Sequence, residues 1–182
     1  MPTINDFFRE VDEAFGFYFD MGMACHIAKA RLEKFQQENG IGDDSPFLYK
    51  AGPPEDDPEA EVRKALHATT FSSLKDRLAD DGSDMLRAAD AVIVIVYHIW
   101  EEKYRRTLTS QSGVALGEIS SDIMGDLRLL RNSIIHNKGI AGSDVGKCKV
   151  IQRFAPGDAI TLTKSDMNEI IRAIKSELRA RL

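Results

Sequence analysis

The sequence predicts an all-α fold: an antiparallel helical bundle that ends in a small β-hairpin and a terminal helix. Two observations carry that expectation. Apolar residues recur at steps of three and four through most of the chain, whereas strand-like runs bounded by turn residues are confined to residues 150–163. The longest apolar run, Ala91 to Tyr97, is rich in β-branched residues but continues into charged helical flanks on both sides without a turn signal, which favours a helix through the bundle centre.

Taken in order, residues 3–38 read as one long helix with Thr3 or Asn5 as its cap and Asn39-Gly40 as its stop. Ile4, Phe8, Val11, Phe15, Tyr18 and Phe19 give it an aromatic core face. Residues 41–58 dissolve into Gly, Asp, Ser and Pro and form an acidic loop. From Pro58 a second helix is expected, with Val62, Leu66, Thr70, Leu74 and Leu78 as its stripe and Gly82 as its end. A third helix, capped by Ser83 or Asp84, runs from about Met85 to Leu108, and a fourth spans roughly 117–138 with Ile119, Ile123, Leu127, Leu130 and Ile134 facing the core. Val150–Phe154 and Ala159–Thr163 are predicted to pair through Ala155-Pro156-Gly157-Asp158, and a final helix starts at Ser165. The chain is thus expected to be a single domain over 1–182, with 147–182 as a hairpin-plus-helix appendage.

Composition narrows the function classes. Two isolated cysteines, Cys25 and Cys148, provide neither a disulfide framework nor a zinc knuckle and point to a reducing cytoplasm. The seven-residue apolar run falls far short of the roughly 20 residues that cross a bilayer, so no membrane partner is expected. No glycine-rich phosphate loop precedes a helix, and His98 with Glu102 stands apart from His26 and His67, so no cofactor and no metal site are expected. The net charge is −5, but residues 131–182 hold ten Lys/Arg against five Asp/Glu while the first 130 residues sum to −10. A local positive field of this kind draws anionic ligands towards the C-terminal third.

That third opens with Arg131-Asn132-Ser133-Ile134-Ile135-His136-Asn137-Lys138-Gly139. At about 100° per residue, Asn132 and His136 stand one turn apart on nearly one face, and Arg131 lies about 140° around from His136 and some 7.5 Å along the axis. Cleaving RNA without a metal requires a base for the ribose 2′-hydroxyl, an acid for the leaving oxygen and a cation for the phosphorane. His136 suits either proton role, Arg131 the third, and Asn132 can orient the imidazole or a phosphate oxygen. A single chain supplies one histidine, so two copies meeting at a two-fold axis make a more complete site. The plain structural reading is that the three residues cap and decorate a helix end.

The run from Asp126 to Gly139 resembles the signature of the HEPN superfamily, in which an arginine followed by a polar residue stands a few positions before a histidine; here four residues separate Arg131 from His136. Its place on a late helix, after Tyr97-His98-Ile99-Trp100-Glu101-Glu102-Lys103-Tyr104-Arg105-Arg106, extends the likeness over roughly residues 60–140. The resemblance implies a HEPN-like bundle that forms a homodimer and acts as a metal-independent endoribonuclease, with Arg131, Asn132 and His136 as its catalytic set. Such domains serve as toxins, in phage defence and in RNA processing, often with an antitoxin or effector protein as partner. RNA is the expected substrate, and Arg128, Lys138, Arg105 and Arg106 are the residues placed to hold its backbone. Some toxins of the family carry a tyrosine two residues after the histidine that a nucleotidyltransferase modifies; this chain has Lys138 there. The alternative from a different class is a non-catalytic module that binds RNA, a nucleotide or a protein through the same arginine cleft.

Overall fold

The computed structural model describes residues 2–49, 57–59, 65–113 and 121–181, the side chains of Ser112 and Arg181 excepted. It is mostly helical, with one small antiparallel sheet. The elements in order are α1 (Ile4–Asn39), β1 (Pro46–Tyr49), β2 (His67–Thr70), α2 (Phe71–Arg77), α3 (Ser83–Ile99), a π-helical turn (Trp100–Tyr104), α4 (Arg105–Ser112), α5 (Asp122–His136), a 3-10 turn (Ser143–Lys147) and α6 (Lys164–Arg181). Among the described residues no helix is long and apolar enough to cross a membrane. The chain divides into two compact units, Met1–Asp20 with Leu86–Leu182, and Met21–Met85.

The first unit holds the motif helix. Helix α1 begins where Thr3 and Asp6 cap each other: the Asp6 amide donates to Thr3 Oγ1 at 3.2 Å and the Thr3 amide to Asp6 Oδ2 at 2.9 Å. Its first turns bury Phe7, Phe8, Val11 and Phe15, and the Phe7 ring meets Trp100 and Tyr104 at 5.2 and 5.1 Å between centroids. Helix α5 buries Ile123, Met124, Leu127 and Leu130, and α6 buries Met167, Ile170, Ile174 and Leu178. Each of these sets recurs at helical spacing, so one stripe per helix supplies the core. Helix α6 also caps α5: Glu177 Oε2 accepts from Ser121 Oγ at 2.8 Å and from the Asp122 amide at 2.9 Å, placing a carboxylate on the positive end of the helix. At its own start Thr163 and Asp166 repeat the reciprocal cap seen in α1.

The expected hairpin of 150–154 with 159–163 does not form. The amides of Lys149, Val150 and Ile151 donate instead to the carboxylate of Asp126 on α5, at 2.7–3.1 Å. The second segment turns to residues 139–141: Ala141 donates to the Asp158 carbonyl at 2.8 Å, Ile160 donates to the Gly139 carbonyl at 2.8 Å, and Ile140 forms a single bridge with Ala159. With a buried acid competing for one strand's donors, the alternation in the sequence has no ladder to join.

In the second unit the expected helix from Pro58 through Leu78 is also replaced in part. Residues 67–70 pair antiparallel with 46–49, inside the stretch expected to be loop, with Phe47 opposite Thr69. Helix α2 starts only after Thr70, whose hydroxyl accepts from the Ser73 amide at 3.1 Å. Leu66, placed on the helical stripe by spacing, is 79% exposed. Phe71 joins this small core, 5.2 Å from Phe47 and 6.3 Å from Phe35 between ring centroids. The helical turns expected at Val62 and over 117–120 lie outside the described residues.

Candidate functional site

Helix α5 is held at both ends by residues other than the candidate catalytic ones. At its start the Ser121 hydroxyl accepts from the Met124 amide and donates to Glu177, as above. At its end the buried Ser133 carries the load: its hydroxyl donates to the Leu129 carbonyl at 3.1 Å and accepts from the Gly142 amide at 3.0 Å, tying the following loop back to the helix. The Ser133 carbonyl takes the amides of Asn137 and Gly139 at 3.0 and 3.2 Å. Lys138 and Gly139 both adopt left-handed backbone, φ 55° and 79°, so the chain leaves the helix abruptly after His136.

This division leaves Asn132 and His136 exposed and Arg131 half-buried. The Arg131 guanidinium donates through Nη1 to Asn132 Oδ1 at 3.0 Å, so the amide presets the arginine rather than the imidazole. The His136 side chain makes no hydrogen bond or ion pair among the described residues. Arg128, Asn132 and His136 follow at steps of four, so they form an exposed stripe about 12 Å long within some 80° of arc.

Two clefts border the start of that stripe, and both are lined by Ser121, Gly125 and Arg128. The first, about 220 Å³, is walled by Tyr97, Trp100, Glu101 and Arg105; the second, about 340 Å³, by Asp122, Asp144, Lys147 and Lys149. In the second, Lys147 pairs with Asp144 at 2.5 Å and Lys149 with Asp122 at 2.8 Å, so its lysines are already matched. In the first, Arg105 donates from Nη1 to both oxygens of Glu101, at 3.0 and 3.2 Å, and the Tyr97 hydroxyl stands 3.5 Å from Glu101 Oε2. Burial, helped by the Glu101 charge, pushes the Tyr97 phenol upward, which keeps its proton in place as a donor. Arg128 is exposed, and its side chain makes no hydrogen bond or ion pair among the described residues.

Of the residues expected to hold RNA, the fold therefore brings Arg105 and Arg128 to one cleft. Arg106 is exposed on α4 outside both clefts, and Lys138 lies beyond the end of α5. Arg131 and His136 line neither cleft and stand further along the same helix. Among the described residues no three His, Cys, Asp or Glu side chains gather as metal ligands would.

Sequence reasoning missed Tyr97, Glu101 and Asp126. The first two carried a signal, since Tyr97, Glu101 and Arg105 follow at steps of four. Asp126 also carried one, being an acid between the core positions Ile123, Met124, Leu127 and Leu130, where a carboxylate must find donors. Cys148 beside it is pushed up to about 12 by burial and then by the Asp126 charge, which makes it an inert thiol.

No family model matches this chain, and no curated protein or solved structure matches it either. The candidate site thus rests on its own geometry.

Proposed function

We propose that the protein is a metal-independent endoribonuclease of the HEPN kind, working as a homodimer whose α5 helices meet at a shared RNA cleft. The carrying observation is the division of labour on α5. Ser133 and Glu177 do the work of holding the helix, while Arg131, Asn132 and His136 reach solvent with no part in that work. Polar groups that reach solvent from a rigid element, one of them a half-buried arginine preset by its neighbour, are what phosphate chemistry uses.

In this reading Arg131 offsets the charge that builds on the phosphorane. His136 of one protomer takes the proton from the ribose 2′-hydroxyl, and the same residue of the second copy returns one to the leaving 5′-oxygen. The 2′-oxygen bonds to phosphorus as the 5′-oxygen leaves, and the product is a cyclic phosphate. A role as a toxin or phage-defence component, in the cytoplasm and with an antitoxin or effector protein as partner, fits such an activity.

The test is cleavage of single-stranded RNA in excess chelator by the wild type, His136→Ala and Arg131→Ala. Loss of general acid–base catalysis costs roughly 10²–10⁴-fold, and loss of a phosphorane-stabilising donor roughly 10²–10³-fold. Undiminished cleavage by His136→Ala, or none by any form, defeats the catalytic reading. Retained RNA affinity without product favours the second reading, a non-catalytic binding module. That reading draws support from the unpartnered His136, which nothing among the described residues orients. Light scattering checks the dimer, and a strict monomer at micromolar concentration removes the composite site.

A further inference from the structure

We propose that the 220 Å³ cleft between the π-helical turn and α5 is a guanine-selecting base pocket for the RNA strand. The assignment rests on the ribonuclease reading for its polymer, though not for its base chemistry. The cleft is smaller than the roughly 300–1,000 Å³ of a site for a drug-sized molecule, so it suits one planar ring rather than a whole nucleotide. The half-buried aromatic Tyr97 walls it, the buried Trp100 borders it from the core, and Gly125 leaves its rim open, since a Cβ built there meets nothing within 4 Å.

Hydrogen-bonding capacity selects the base. Glu101 presents a carboxylate whose two oxygens have about four lone-pair sites; Arg105 fills one on each, and the Tyr97 hydroxyl reaches Oε2 only at 3.5 Å, a contact long enough for a base N–H to displace. The remaining sites form an acceptor pair locked in place by that guanidinium. Arg128 faces the cleft with an unpartnered fork of donors. Guanine is the nucleobase that presents both a paired acceptor edge, O6 and N7, and a paired donor edge, N1–H and N2–H. Arginine on O6/N7 is the commonest specific contact to guanine. Adenine lacks the acceptor pair, and neither pyrimidine offers both edges.

Position ties the pocket to the chemistry. Arg128 precedes His136 by eight residues on one helix, about 12 Å along its axis, a few nucleotides of a bound strand. A guanine seated there fixes the register of the phosphate at His136.

Trp100 is the single tryptophan of the chain and lines the cleft, so its fluorescence reads occupancy directly. The experiment titrates GMP, AMP, CMP and UMP into the full-length protein, with free tryptophan amide as the absorbance control, and repeats this with Glu101→Gln and Arg128→Ala. Saturable quenching by GMP at a Kd below that for AMP is expected, with discrimination in the range a bidentate pair confers, roughly 5- to 150-fold. Glu101→Gln abolishes that preference. Arg128→Ala, an exposed substitution that leaves the Glu101–Arg105 pair intact, weakens GMP by at least fivefold. Circular dichroism verifies that both variants fold. Absence of saturable quenching by GMP, equal quenching by all four nucleotides, or a guanine preference that survives in both variants overturns the pocket. The two proposals fail separately: GMP binding without RNA cleavage sinks the catalytic reading alone, and cleavage without GMP binding sinks the pocket alone.

Discussion

Removing the Asp126 carboxylate should destabilise the protein by about 3 kcal/mol and open the loop over 148–151. The side chain is 2% exposed and accepts from three consecutive amides, those of Lys149, Val150 and Ile151. A hydrogen bond to a charged group contributes about 1.5–3 kcal/mol, and a buried donor left unpaired costs about 1–3 kcal/mol. Lys149 and Val150 are exposed residues whose amides water can reach after truncation, whereas the Ile151 amide is in a buried residue and pays most of that cost. Asp126→Ala therefore loses about 3 kcal/mol out of a total stability of about 5–15 kcal/mol. Asp126→Asn falls between, because its amide oxygen accepts from two donors while its NH₂ opposes the third. Urea unfolding measures both variants.

A second readout separates loop opening from general loss of stability. Burial is the main reason that the Cys148 thiol sits near 12, with Asp126 adding to it, so at pH 8 only about one thiol in 10⁴ is ionised. Losing the carboxylate alone removes the lesser cause; only exposure removes the greater. Labelling by a disulfide reagent, mapped by peptide mass to distinguish Cys148 from the buried Cys25, should accelerate by orders of magnitude in Asp126→Ala under native conditions. A variant within 1 kcal/mol of wild type with unchanged Cys148 labelling would refute the idea that this carboxylate organises the loop.

Two further changes test the energetics elsewhere. Burial raises the Asp90 carboxyl from 3.8 to about 6, so the folded state holds its proton more tightly than the unfolded chain, and wild-type stability falls as pH rises between about 4 and 6. Asp90→Asn should be the more stable form above pH 6 by about 1–2 kcal/mol, the full shift of about 3 being discounted for partial exposure, and the difference should vanish below pH 4 in paired melting curves. A Cβ at Gly82 would lie 2.3 Å from the Arg77 carbonyl oxygen and 2.4 Å from that of Asp76, backbone atoms that cannot swing aside. Gly82→Ala should cost at least about 2 kcal/mol by urea unfolding; a neutral result would mean that this close approach is not required.

The long helices were legible in the sequence because caps and stripes agree. Thr3 with Asp6 starts α1, Asn39-Gly40 ends it, and the β-branched run of α3 is helical because its flanks continue the period. The sheet was not legible. The pairing of 46–49 with 67–70 joins segments some 20 residues apart, and the stripe through Leu66 and Thr70 was equally consistent with a helix. The hairpin failed for a different reason, a competitor from outside the segment: Asp126, more than 20 residues upstream, takes the donors a strand would have used. Arg131, Asn132 and His136 were legible as a pattern because a helix fixes their spacing, whereas the bond from Arg131 to Asn132 depends on rotamers that spacing does not dictate.

The cleft has a deeper cause in the π-helical turn. Val96, Trp100, Tyr104 and Leu108 are all buried, and they are spaced at steps of four. In an unbroken α-helix three such steps drift by about 120°, which would swing Leu108 off the core face that Val96 occupies. The turn over Trp100–Tyr104 widens the helix so that the Arg105 amide bonds to the Trp100 carbonyl, five residues back, and the drift is taken up. The same widening keeps Tyr97, Glu101 and Arg105 in line on the neighbouring face, where they wall the cleft that Arg128 completes. One helical irregularity thus serves both core and cleft: the apolar stripe stays buried because the helix widens, and the widening lines up the carboxylate that selects the base.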